Sequence, residues 1–213
     1  MAALLDIIGA MIIGGVLMLV TNRGIEYSLR EFINHNIDAI VQTDLSTMTQ
    51  ILQGDLRKMG YGIPESNQAS IIQTAVSDHL VFLTKSDPNV TAPDTIEYTT
   101  TDRDTVWIVG SRVILYHLNR TVRCQGHEPQ TTIIGNVTNP VIFRYLDQAG
   151  RSTEDKRATR MVEVTLFTMN PHVYLDDDVI QAVTLEDQVI ALKKLWRESF
   201  WRQTRVVSRN LRR

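Results

Sequence analysis

Several things are scarce in this chain, and each scarcity excludes something. There is one cysteine, Cys124, in 213 residues. No internal disulfide can form, so the usual staple of a small exported domain is missing. Proline is rare, and none falls between residues 2 and 63. A helix can therefore run through that stretch without losing a backbone hydrogen bond. Neither charge sign is in large excess, since the formal net charge is -2. That balance gives no bulk drive toward nucleic acid, which is not expected as a partner. The glycines are scattered, so no phosphate-cradling loop forms. Gly60-x-Gly62 lacks a third glycine and a preceding strand, and reads as a helix stop. There is no G-x-S-x-G and no H-E-x-x-H. Nothing marks a nucleophile, so the expectation is a non-enzyme without a cofactor.

Metal chemistry is thin as well. Cys124 and His127 are one ligand pair, too few for zinc. His35, His79, His117 and His172 show no ligand spacing. Asp176-Asp177-Asp178 offers hard oxygen ligands, and Asp176 with Asp178 is the candidate calcium pair. The spaced ligands and glycine of a dedicated calcium loop are missing, so the expectation is an acidic turn and no metal. The C-terminal part is basic, with Lys193, Lys194, Arg197, Arg202, Arg205, Arg209, Arg212 and Arg213 around Trp196, Phe200 and Trp201. Basic residues with interleaved aromatics suit single-stranded nucleic acid. With no basic excess over the domain, the expectation is a strand with its aromatic face buried and its charges solvated.

What the chain does have is a long helical signal at its start. Ala2 to Val20 is apolar apart from Asp6. From residue 22 on, apolar residues recur at Ile25, Leu29, Phe32/Ile33, Ile37, Ile40/Val41, Leu45, Met48, Ile51/Leu52, Leu56 and Met59. Steps of three and four are the helical period. One helix to about residue 59 is predicted, reaching about 85 Å at ~1.5 Å per residue. Gly60-Tyr61-Gly62-Ile63-Pro64 stops it.

The apolar start is near the ~20 residues that a membrane span needs. No small-x-small cleavage site ends it, as a secretory signal would require. Gly9, Gly14 and Gly15 would weaken a buried core helix. Ala10 and Gly14, four apart, suit close helix contact in a bilayer. Asp6 either marks the membrane interface or meets a positive charge on a neighbour. The following stretch is one-sided, its other face carrying Arg23, Arg30, Glu31, Gln42, Gln50, Asp55 and Lys58. Such a stripe must be buried, in a coiled coil or on the chain's own domain. For the later turns the expectation is the latter, with Leu45, Met48, Leu52 and Leu56 against a sheet.

After Pro64 the period changes to that of strands. These are predicted at residues 78–84 and 95–99, then as a hairpin of 105–109 and 112–116. Arg120 to Arg123 and Thr131 to Ile134 continue the meander. Val141 to Leu146 is a strand turned by Asp147-Gln148-Ala149-Gly150. Residues 160–168 alternate best, with Val162, Val164, Leu166 and Thr168 on one face. Residues 171–196 fit helix or strand, Leu185, Val189, Leu192 and Leu195 supporting helix. Phe200 to Val207 is a final strand. A long helix followed by an antiparallel sheet is α+β.

The layout resembles the type IV pilin and pseudopilin superfamily, most nearly the W-type minor pilins and the J-type minor pseudopilin of type II secretion. Leu52-Gln53-Gly54-Asp55-Leu56-Arg57-Lys58-Met59-Gly60-Tyr61-Gly62 resembles the family's helix end, which reads like D-L-R-x-A-G-Y-G. Asp94 to Tyr98 resembles its second strand, Val137 to Asp147 the strand before its turn, and Arg205 to Leu211 its closing R-N-L signature. The resemblance implies residues 1–21 as a transmembrane and filament-core segment, 22–60 as its amphipathic continuation, and 61–213 as a β-rich head. It implies a leader peptidase whose new N-terminal amine pairs with an acidic residue four positions on. With Met1 removed, Ala2 begins the chain and Asp6 falls at that position, where the family has glutamate. It implies assembly through the N-terminal helix with other pilin-like subunits, residence in a bacterial inner membrane beforehand, and an inner-membrane assembly platform as partner. The other readings are a single-pass binding module on a helical stalk, which predicts a monomer or a coiled-coil dimer through Leu45, Ile51/Leu52 and Leu56, and an anchored hydrolase with a deep polar pocket.

Overall fold

The computed structural model describes residues 2–64, 67, 70–85, 92–108, 111–170, 189–190, 193 and 199–211. The predicted helix is there as one element, α1, Ala2–Lys58. Its end is built as the glycines suggest. Gly60 takes a left-handed φ of 73°, which a glycine adopts without strain. The Gly60 N–H then donates to the Leu83 carbonyl at 2.8 Å, and the Tyr61 N–H returns to the Lys58 carbonyl at 2.8 Å. Arg57 and Lys58 in the last turn face the negative end of the helix dipole.

The chain divides into two compact units, Met1–Ile40 and Val41–Arg213. The first is helix alone. Ile7, Ile8, Met11, Ile12, Ile13, Val16, Leu17, Met18, Leu19 and Val20 are all exposed, on every face. The helix is long and apolar enough to cross a membrane.

The second unit packs the end of α1 on two antiparallel sheets. One holds β1 (Ile72–Ala75), β2 (His79–Thr84), β3 (Asp94–Ile108), β4 (Ser111–Arg123) and β5 (Gln130–Val137) in that spatial order. The other holds β6 (Phe143–Leu146), β7 (Met161–Met169) and β8 (Ser199–Val207), also in order. The fold is α+β, a long N-terminal helix on antiparallel sheets. The core joins Leu45, Met48, Leu52 and Leu56 of α1 to Phe82, Tyr98, Leu118, Phe143 and Val164 of the strands. Helix and sheet approach closely at Gly135 of β5, where an added Cβ would lie inside the Met48 side chain.

The strands differ from expectation in three places. β1 is additional; its sequence, Ile72-Gln73-Thr74-Ala75, is too short and too polar to signal a strand. β3 and β4 form one long hairpin, absorbing what the sequence divides into separate segments at residues 95–99, 105–109, 112–116 and 120–123. Thr99 to Thr105 lacks the apolar alternation that would have marked the continuation. β6 starts at Phe143 rather than Val141, because the Ile142 and Phe143 N–H groups both turn to the Ser77 carbonyl, each at 2.8 Å. Leu185, Leu192, Leu195 and most of 171–196 lie outside the described residues, as do Asp176 and Asp178. Val189, Ile190 and Lys193 are helical.

Candidate assembly site

The site begins on the first turns of α1. Asp6, Ala10 and Gly14 are spaced by four and so lie along one face of the helix. Asp6 and Ala10 are exposed, and a Cβ added at Gly14 would meet nothing within 4 Å. Ile7 and Met11 beside this face are exposed and Met18 continues the same line, and the two small residues Ala10 and Gly14, four apart, suit close approach of another helix. Among the described residues Asp6 forms no salt bridge.

Further along α1 the apolar stripe has two fates. Ile25, Leu29, Phe32 and Ile40 are exposed, at 56 to 63%. From Val41 on it is buried. Leu45, Met48, Leu52 and Leu56 are 6% exposed or less, packed on the sheets as the spacing predicts. Those side chains are spent inside the molecule, which removes the coiled coil through Leu45, Leu52 and Leu56.

One assignment on this helix is corrected. Asp55 was expected on the solvent-facing side, but it is only 5% exposed. Its Oδ2 accepts from the Tyr98 hydroxyl at 2.6 Å and from Arg120 Nε at 2.6 Å. The physical reason is position: Leu52, Asp55, Leu56 and Met59 follow steps of three and four, so Asp55 sits within the buried stripe. A carboxylate there requires partners, and β3 and β4 bring them. Tyr98 is fully buried. Burial raises its hydroxyl pKa far above the usual value, and the Asp55 charge adds to that. The hydrogen bond to Asp55 likewise strengthens the hold of Arg120 on its proton.

The helix end has a second long-range tie. Ser208 Oγ and Asn210 Nδ2 both donate to the Met59 carbonyl, at 2.8 and 3.0 Å. Leu211 enters the core at 7% exposure. The C-terminal Ser208-Arg209-Asn210-Leu211 segment is thus a cap for α1.

The remaining sequence candidates are scattered. Cys124 is exposed, and the His127 N–H closes a turn on its carbonyl at 3.2 Å. Among the described residues no three His, Cys, Asp or Glu side chains group as a metal site. On the basic C-terminal strand Phe200 packs against the core as expected, while Trp201, on the opposite face and paired with Phe167, is 65% exposed. Trp196 lies outside the described residues. A surface depression is lined by Gln148, Arg160, Met161 and Val207. A second, open one is lined by Ser70, Gln73, Glu154, Asp155, Lys156 and Arg157, with Lys156 Nζ donating to the Gln73 carbonyl.

Comparison with protein-family models, with curated proteins and with solved structures gives no match.

Proposed function

We propose that this chain is a minor pilin-like or pseudopilin-like structural subunit of a type IV pilus-like or type II secretion-like filament. The observation that carries the reading is the double character of α1. Up to Val20 it exposes apolar side chains on every face around a single carboxylate, Asp6. From Val41 it is the central element of an antiparallel head. A helix of that kind has two successive environments, a bilayer and a bundle of like helices. In the proposed mechanism the head stays outside the bacterial inner membrane while the first segment spans it, until an assembly platform draws the subunit into the filament.

Asp6 is the residue on which assembly turns. A carboxylate carried into an apolar bundle is costly unless paired and hydrogen-bonded. A neighbour's N-terminal amine, freed by leader removal, supplies the pair, and Ala10 and Gly14 let the two helices approach. The test is Asp6→Ala in cells that carry the machine. Incorporation into filaments should be lost, while the thermal unfolding of the head is unchanged. Asp6→Glu should retain incorporation. Undiminished incorporation of Asp6→Ala would sink the mechanism and favour a membrane-anchored binding module on a helical stalk.

A further inference from the structure

The depression at Gln148, Arg160, Met161 and Val207 has a volume of about 300 Å³. That is the lower end of the size range of small-molecule sites. Three elements meet there. Met161 begins β7, and Val207, its cross-strand partner, ends β8. Cross-strand partners stand side by side on one face of a sheet, so the two make an apolar wall. Gln148 comes from the turn after β6. The Asp147 carboxylate holds that turn by accepting from the Ala149 and Arg151 N–H groups, each at 2.8 Å, and from Arg151 Nε at 3.2 Å.

Arg160 is the charged member, and it is half-buried. Its backbone N–H donates to the Leu146 carbonyl at 2.8 Å. Its Nη1 donates to the Arg157 and Thr159 carbonyls, at 2.7 and 2.9 Å. Two acceptors match the two Nη1 protons, so the guanidinium is fixed and its Nε–Nη2 edge keeps its donors. The carboxylates nearest in the sheet and its turns are committed elsewhere. Asp147 serves its own turn and Arg151, Glu163 lies between Arg144 and Arg205, and Asp155 accepts from the Arg157 N–H. Among the described residues Arg160 forms no salt bridge.

We propose that this pocket binds a small carboxylate that carries a short apolar body. The free edge of a fixed guanidinium matches the two oxygens of a carboxylate in parallel hydrogen bonds. One positive charge balances one carboxylate, whereas a phosphate dianion would need a second cation. Met161 and Val207 receive the apolar body, and the Gln148 amide offers a donor and an acceptor to a polar group beside it. The acid is either a free small molecule or the C-terminal residue of another chain. The site uses none of α1 and does not rest on the pilin-like reading.

The test uses the full chain in detergent micelles, with isotope-labelled arginine side chains observed by nuclear magnetic resonance. Butanoate and N-acetylvaline should each shift one Nε resonance saturably, with a Kd of about 1 mM, and that resonance should be missing from Arg160→Lys. Butanamide and N-acetylvalinamide should leave it in place. N-acetylvaline binding about tenfold tighter than butanoate marks a chain end as the ligand, through the added amide contact; equal or weaker binding marks a free acid, and either supports the site. Val207→Glu sets a carboxylate in the pocket beside an intact Arg160 and should weaken both acids at least about tenfold. Thermal unfolding checks that each variant is folded, and Val207→Glu decides alone if Arg160→Lys is not. The proposal is overturned by any of five results: no saturable shift with either acid, amides that bind as the acids do, inorganic phosphate saturating at lower concentration than both acids, a shifting resonance that Arg160→Lys retains, or a Val207→Glu chain that binds as wild type does.

Discussion

Asp55→Ala is the substitution that most directly tests how the head holds α1. The side chain accepts two hydrogen bonds on one oxygen, from a fully buried tyrosine and from an arginine whose side chain is 28% exposed. Removing it orphans the Tyr98 hydroxyl, and leaving a buried hydroxyl unsatisfied costs about 1–3 kcal/mol. Arg120 also loses its counter-ion but can turn partly to water, so its share is smaller, about 1 kcal/mol. The expected total is about 2–4 kcal/mol. For a domain of this size that lowers Tm by roughly 5–15 °C. Tyr98→Phe removes one charge-assisted bond and should cost about 1.5–3 kcal/mol. The double variant should cost less than the sum of the two, because both single changes break the same bond. Urea unfolding of the full chain in detergent, followed by near-ultraviolet dichroism, gives the cycle. An Asp55→Ala chain within about 0.5 kcal/mol of wild type, or strict additivity, would refute the argument, since the usual spread for distant independent sites is of that order.

The same tyrosine predicts a pH dependence. Its folded pKa is raised, by burial first and then by Asp55, above an unfolded value of about 10. Its contribution is complete below that value and is lost as pH rises toward the folded pKa. Stability should therefore fall above about pH 10, and Tyr98→Phe should make that limb shallower by up to about 1.4 kcal/mol per pH unit. Burial shifts Tyr145 in the same direction, so part of the slope should remain. At the helix cap, Ser208→Ala and Asn210→Ala should each cost under about 1 kcal/mol, since the other donor still serves the Met59 carbonyl. The double variant should cost about 2–3 kcal/mol; equal and additive losses in urea unfolding would count against the shared acceptor.

What the sequence made legible was local and periodic. The helix follows from absent proline, steps of three and four, and the Gly60 stop. Its four seam residues, Leu45, Met48, Leu52 and Leu56, were readable because tertiary packing used the stripe that the spacing describes. β7 was readable for the same reason, with Val162, Val164, Leu166 and Thr168 all buried. Its exception is instructive. Glu163 points to the other face yet is 2% exposed, because Arg205 binds it at 2.5 Å and Arg144 lies 3.8 Å away. Pairing across strands is invisible to a period. So is the tie of Asp55 to Tyr98 and Arg120: a carboxylate reads as part of the polar face, although Leu52, Asp55 and Met59 are themselves three and four apart. The cap by Ser208 and Asn210 joins residues 149 and 151 positions apart, and the local signal for it was the closing R-N-L resemblance.

Two carboxylates on one helix show how far this reasoning extends toward function. Asp55 and Asp6 both lie among apolar neighbours in sequence. For Asp55 the difficulty is resolved inside the molecule, by a tyrosine and an arginine delivered by adjacent strands. Asp6 lies on a stretch of exposed apolar helix, and among the described residues no cation reaches it. In water that state costs nothing. In the apolar surroundings that the flanking Ile7, Met11 and Ile12 favour, the charge needs a partner. On the proposed reading, the requirement that Arg120 meets for Asp55 is met for Asp6 by a cation from a neighbouring molecule. That asymmetry supports an assembling subunit over a solitary stalk, because a stalk has no second chain to bring the charge.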